Sequence, residues 1–151
     1  MKEIKLYNID KVVFVDDEDY DSLNKYNWSL EDRVIRTKIN DRKVSIGTFI
    51  LGAKDEFQVD HKDRDIFNNI RSNLRYATIS ENCMNKGISK RNTSGYKGVC
   101  WRTARRKWQA SIKVNGKLIN IGSSDSKIEA AKMYNAAALK HFGPFAFLND
   151  I

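Results

Sequence analysis

Proline is almost missing from this 151-residue sequence, which has one, alongside eight glycines, two cysteines and two histidines. So little proline and glycine excludes a collagen-like or low-complexity chain. Cys83 and Cys100 stand apart with no CxxC spacing, so neither a disulfide framework nor a cysteine zinc site is indicated, and both are expected to be buried thiols. No apolar stretch approaches the roughly 20 residues of a membrane span, and the amino terminus shows no apolar run followed by a small-residue cleavage site. A soluble, intracellular protein is the expectation. What is present is 41% hydrophobic and 11% aromatic residues, enough for packed cores, in a length that suits one ordinary domain or two small ones.

Acidic residues are the next scarcity, and a local one. Residues 1–60 hold 10 Lys/Arg against 13 Asp/Glu, a net of −3, whereas residues 61–151 hold 17 against 6, a net of +11. Between Glu81 and Asp125 there are ten Lys/Arg and no acidic side chain. A solvated face normally mixes signs. A tract of one sign with Tyr96, Trp101 and Trp108 among its charges is what a polyanion-binding surface needs.

Residues 4–6 and 12–15 are short apolar strands, followed by the acidic run 16–19. Carboxylates in a first helical turn are favoured by the helix dipole, so the run is expected to open a helix that ends near Tyr26. Its spacing lacks the glycine of a calcium loop. Residues 34–39 and 44–50 flank Asn40-Asp41 as a hairpin. Residues 57–61 form a strand ending in Asp60 and His61, and residues 73–77 a second strand. Thr78 with Glu81 makes a capping box, which predicts a short helix holding Asn82 and stopping at Gly87. Residues 88–95 are polar and turn-rich, a linker. Beyond it, residues 108–114 alternate, with Trp108, Ala110, Ile112 and Val114 on one face and Gln109, Ser111 and Lys113 on the other. Asn115-Gly116 is a type I′ turn signal, with the next strand over residues 117–122. Ser126 and Glu129 cap a final helix whose Ala130, Ala131, Tyr134, Ala137, Ala138 and His141 share a face. His141 is expected to be a packing residue.

Phosphodiester hydrolysis needs an activated water, a Lewis acid and a groove for the backbone. A histidine titrates near neutrality and can take a proton from water, while a carboxylate and an amide oxygen are hard ligands suited to magnesium. Asp60, His61 and Asn82 supply these parts. Neighbours on a regular strand point to opposite faces, so Asp60 and His61 converge only where the strand ends or twists.

The stretch Val59-Asp60-His61-Lys62-Asp63, Asn68-Asn69, Ser72-Asn73-Leu74-Arg75-Tyr76-Ala77-Thr78 and Glu81-Asn82 closely resembles the HNH endonuclease motif of phage and intron-encoded homing endonucleases. The resemblance implies two strands and a helix around one divalent metal. It implies His61 as general base, Asp60 and Asn82 as ligands of Mg2+, with Mn2+ the alternative ion, and Asn73 as the catalytic-motif residue that ties the loop to the strand. This chain has Gly47-Thr48 where family members often carry His-Arg, Arg64 where they often carry glycine, and Asn82 where many carry histidine.

Residues 94–149 resemble the AP2 DNA-binding domain through Ser94-Gly95-Tyr96-Lys97-Gly98-Val99, Lys107-Trp108, Asn115-Gly116-Lys117, Glu129-Ala130-Ala131 and the closing Phe145-Ala146-Phe147-Leu148-Asn149. That family packs a three-stranded antiparallel sheet on one helix and lays the sheet in the DNA major groove. The resemblance implies DNA contacts from Lys97, Arg102, Lys113 and Asn120 on the open face and from Arg105, Arg106 and Lys107 in the hairpin loop. Cys100, Leu118 and Asn120 stand where plant members often place base-reading side chains.

The sequence thus predicts an α+β protein: a nuclease part over residues 1–87 with its motif core at 57–87, a linker over 88–95 and a DNA-binding part over 96–151. The expected function is a magnesium-dependent endonuclease acting on double-stranded DNA, monomeric, without a membrane or protein partner, cytoplasmic in a bacterial or phage-infected host. The rival is a DNA-binding regulator or accessory factor whose nuclease segment has decayed.

Overall fold

The computed structural model describes residues 1–151 and is mixed α+β, with four small antiparallel sheets and four α-helices. The chain divides into two compact units, Met1–Asn82 and Cys83–Ile151.

In the amino-terminal unit, β1 (Lys2–Lys5) pairs with β2 (Val12–Val15), Ile4 opposite Val13. The acidic run opens α1 (Asp17–Leu23), which ends three residues before Tyr26 because the Leu23 carbonyl accepts a 2.8 Å bond from the indole of fully buried Trp28. Strands β3 (Ser29–Glu31), β4 (Val34–Ile39) and β5 (Arg42–Ser45) form one sheet. Asn40 and Asp41 take φ of 47° and 62° between paired Ile39 and Arg42, as a two-residue type I′ turn requires. Asp32 and Arg33 do the same between β3 and β4 with φ of 47° and 66°, a turn invisible in the sequence because arginine seldom enters the left-handed region.

The expected strand over residues 44–50 is corrected. Pairing stops at Ser45, whose hydroxyl caps α2 (Ile46–Leu51) by accepting from the Thr48 amide at 3.2 Å. Buried Ile46 and Ile50 are one helical turn apart, a spacing that a short apolar run hides. Next come β6 (Gln58–His61) and β7 (Leu74–Ala77), an antiparallel pair, and α3 (Ile79–Asn85). A Cβ at Gly47 would stand 2.8 Å from Val59 Cγ1, so Gly47 is what lets α2 lie against β6. The first capping box forms in both directions: the Thr78 amide donates to Glu81 Oε2 at 2.8 Å and the Glu81 amide to Thr78 Oγ1 at 3.2 Å. Ile35, Ile46, Leu74 and Trp28 belong to one core, against which Val59 packs.

In the carboxy-terminal unit, β8 (Val99–Arg102), β9 (Lys107–Val114) and β10 (Lys117–Ser124) form a sheet in the order β10-β9-β8. Asn115 and Gly116 take φ of 49° and 79°, the expected type I′ turn. Helix α4 (Lys127–Phe142) covers one face with buried Ala130, Ala131, Tyr134, Ala138 and Phe142. His141 is exposed, and the face it was expected to complete is closed by Phe142 instead. Gly98, at φ +75°, sits against the Tyr134 ring so closely that a Cβ would stand 2.0 Å from it. Burial pushes the Tyr134 hydroxyl up to about 12. Asn149 closes the unit by accepting from the Lys97 amide at 2.6 Å while its own amide donates to Asn135 at 2.8 Å. The cysteines are not buried thiols: Cys83 is exposed on α3 and Cys100 is half-buried on β8.

Candidate functional site

The β6–β7 hairpin sets the geometry of the amino-terminal site. Asp60 is 6% exposed and lies directly opposite Arg75, whose Nε and Nη2 both reach Asp60 Oδ2 at 2.8 Å. Gln58, two residues earlier and so on the same face, accepts a 3.1 Å bond from Asn82 Nδ2 on α3. Asp60 and Asn82 are thereby brought to one side of the hairpin.

His61 is the last residue of β6, opposite Leu74. Its Nε2 lies 3.0 Å from Oδ1 of Asn69, which is fully buried and whose Nδ2 donates to the Ile66 carbonyl at 2.8 Å. A carbonyl can only accept, so the amide nitrogen must face Ile66 and its oxygen must face His61. His61 Nε2 is therefore the donor, and in the neutral ring the lone pair is then on Nδ1.

Asn73 holds the loop between the strands. Its Oδ1 accepts from the Asp63 amide at 3.1 Å, and its Nδ2 donates to Asp63 Oδ1 and to the Asn68 carbonyl, each at 2.8 Å. Partial burial raises the Asp63 carboxyl, but bonds from the Asp65 amide, Asn68 and Asn73 outweigh it and hold the group below its usual range. Further support comes from residues distant in sequence. The Asn69 amide donates to Phe14 on β2 at 2.8 Å, and Arg71 is gripped by Asp16, Glu18 and Asp19 at 2.7–2.9 Å. The acidic run thus opens α1 and also anchors the loop that carries Asn69. Arg64, where the resemblance places glycine, has φ 69°, a left-handed conformation that costs a non-glycine residue about 1 kcal/mol.

No group of three or more His, Cys, Asp and Glu side chains comes together to hold a metal. One carboxylate and one amide on the same face are nevertheless the hard oxygen donors that suit magnesium, which keeps several of its waters. Asp60 and Asn82 are the residues that could hold such an ion, and Arg75 already bonds one oxygen of the carboxylate.

On the carboxy-terminal sheet, the face turned from α4 carries Arg102, Lys107, Gln109, Ser111, Lys113 and Asn120, with Arg102 opposite Lys107 and Asn120 opposite Ser111. Arg102 Nε donates to Gln109 Oε1, and Lys107 is 3.6 Å from Asp125. Arg105 ends a short 3-10 turn and Arg106 follows in the left-handed region, both exposed. Lys97 is placed elsewhere: it precedes β8, and its ammonium donates to the Met84 and Lys86 carbonyls at 2.8 and 2.5 Å, at the end of α3. Trp108 packs toward α4 as expected, with Trp101 edge-on to it at 5.2 Å and 45% exposed.

Three residues of this constellation, Arg75, Asn69 and Asp63, have no role in the sequence reading. All three lie inside the HNH-like stretch, but their partners follow from strand register and loop geometry.

No family model matches the chain, and no solved structure matches it. It is 33% identical over 144 residues to a protein named an uncharacterized HNH endonuclease from Acanthamoeba polyphaga mimivirus, which covers 91% of this chain and 74% of that one. It is also 36% identical over 90 residues to Protein 3.8 of Escherichia phage T7, covering 60% of this chain and 74% of the phage protein. With most of both chains aligned to the viral relative, the protein belongs to the HNH endonuclease family.

Proposed function

We propose that the chain is a magnesium-dependent endonuclease that hydrolyses phosphodiester bonds in double-stranded DNA. The observation that carries the reading is one strand, β6, that bears Asp60, bonds Asn82 of α3 through Gln58 and ends in a histidine whose Nε2 is oriented by Asn69. His61 takes a proton from water at Nδ1, while Nε2 keeps its own proton and donates it to Asn69 Oδ1, which keeps the ring from turning. Asp60 and Asn82 would hold the ion, with manganese as its substitute. Bound there, a divalent ion supplies a Lewis acid for the charge that develops on the leaving oxygen. Asn73 acts at one remove, by fixing the loop through Asp63.

The carboxy-terminal unit is read as an AP2-like module that grips the duplex through Arg102, Arg105, Arg106, Lys107, Lys113 and Asn120. The three-stranded sheet packed on one helix supports that reading. Lys97 contributes by fixing the end of α3. The departures from the family pattern at Gly47 and Arg64 do not speak for a decayed nuclease, since Gly47 has a packing reason and Arg64 adopts the conformation a glycine would.

The test is supercoiled plasmid incubated with magnesium or with chelator. Nicking by the parent only in magnesium is expected, and His61→Ala should slow it by at least about 10²-fold with duplex affinity unchanged. Absence of nicking by the parent, or equal loss of binding and cleavage in the variant, would sink the assignment.

A further inference from the structure

The β3–β5 sheet has its own concentration of charge. A groove of about 470 Å3 opens on it, lined among others by Lys25, Arg36, Lys38, Lys43 and a single carboxylate, Glu31. Lys38 and Lys43 are directly opposite each other on β4 and β5, and Arg36 is two residues before Lys38 on the same face. Like charges placed opposite on neighbouring strands cost a sheet stability, so this arrangement gains from an external anion. The nearby carboxylates do not balance it. Glu31 holds Lys43 at 2.6 Å and Asp41 holds Lys38 at 3.2 Å, both exposed pairs of the kind worth little in water, which leaves Arg36 and Lys25 in excess. The cluster also runs against its background, because residues 1–60 are net acidic at −3.

Its position adds to this. Strand β5 leads into α2, which lies on β6 through Gly47 and Val59, and Ile35 of the sheet shares a core with Leu74 of the hairpin. A phosphate held on this sheet is held by the same packed unit as His61.

From these observations we infer that the open face of β3–β5 is a second binding surface for the phosphodiester backbone of the substrate duplex, contacted by Arg36, Lys38 and Lys43 with Lys25 at its edge. The inference rests on the nuclease reading and gives the amino-terminal unit its own hold on DNA.

The experiment uses the full chain carrying His61→Ala, so that the DNA survives, and measures duplex affinity by fluorescence anisotropy over a range of KCl concentrations. Each phosphate contact contributes about 0.9 to the slope of log affinity against log salt. Removing three contacts with Arg36→Gln, Lys38→Gln and Lys43→Gln together should lower that slope by about 2 to 3, and weaken binding at least tenfold at low salt. The Lys38→Arg, Lys43→Arg variant, which keeps the charges, should retain the parental slope. Circular dichroism of the triple variant should match the parent.

A folded triple variant with the parental slope overturns the inference. If the unsubstituted chain nicks plasmid in magnesium, the nuclease reading survives that failure. A parent that binds no duplex overturns both. A triple variant that loses its fold passes the decision to Arg36→Gln alone, which should lower the slope by about 0.9 and overturns the inference if it does not.

Discussion

Asp60, His61, Arg71 and Asn73 in the amino-terminal unit each end on a named partner at 2.7–3.1 Å, and most of those partners come from another strand or loop. Arg105, Arg106, Lys113 and Asn120 in the carboxy-terminal unit are exposed. The contrast matches two kinds of work. Proton transfer needs a group held in one orientation, and fixing it requires buried partners. Backbone binding needs charge that can follow a flexible anion and release counterions, so burial would be a cost. The carboxy-terminal unit is held together away from that face, by apolar contact as at Gly98 and Tyr134 and by the bonds of Asn149.

That contrast can be broken by substitution. The largest effect is expected from Arg75→Leu, which strands the Asp60 carboxylate in a buried site and should destabilise the amino-terminal unit by about 3–5 kcal/mol in urea unfolding. A cost under about 1 kcal/mol, the range of exposed pairs, would show that Asp60 is held no better than a surface charge. Gly98→Ala comes next. The new Cβ meets the Tyr134 ring and the backbone is already left-handed, so a loss of about 3 kcal/mol is expected, seen as a lower thermal midpoint. An unchanged midpoint would mean that the ring has room to move. Arg106→Gln should leave stability within about 0.5 kcal/mol and reduce the salt slope of DNA binding by about 0.9. A stability loss beyond that would make Arg106 structural. The smallest effect concerns acid. Asp63 is held below its ordinary value of about 3.9, so it stabilises the fold above that value, and the contribution is lost as pH falls through the lower, folded one. Asp63→Asn should therefore flatten the decline of the urea midpoint below pH 4, and a superimposable decline would remove Asp63 from the loop's support.

Local signals in the sequence carried far. Two asparagine-containing turns, the Thr78–Glu81 capping box and the alternation of β9 are in the structure because each depends on residues within a few positions of one another. At α4 only half of the expected box forms: Ser126 Oγ accepts from the Glu129 amide, but the Ser126 amide donates to Ser124 Oγ. The readings that changed depend on contacts across long separations. Residues 46–51 form a helix that lies on β6 because Gly47 meets Val59, a contact that an apolar run does not reveal. Lys97 serves the end of α3 because residues 84–86 happen to reach it. Within the site, Asp60 and His61 were legible as residue types in a known spacing. Their partners Arg75 and Asn69 were not, since strand register and a loop tied to β2 choose them.

Two histidines are present, one bonded to Asn69 and one exposed near the end of α4. The imidazole spectrum of the protein therefore contains only two ring systems, and His141 provides a solvent reference beside His61. Ring nitrogen frequencies differ according to which atom bears the proton. The orientation imposed by Asn69 can thus be read by magnetic resonance in the unsubstituted chain, before any nucleic acid is added.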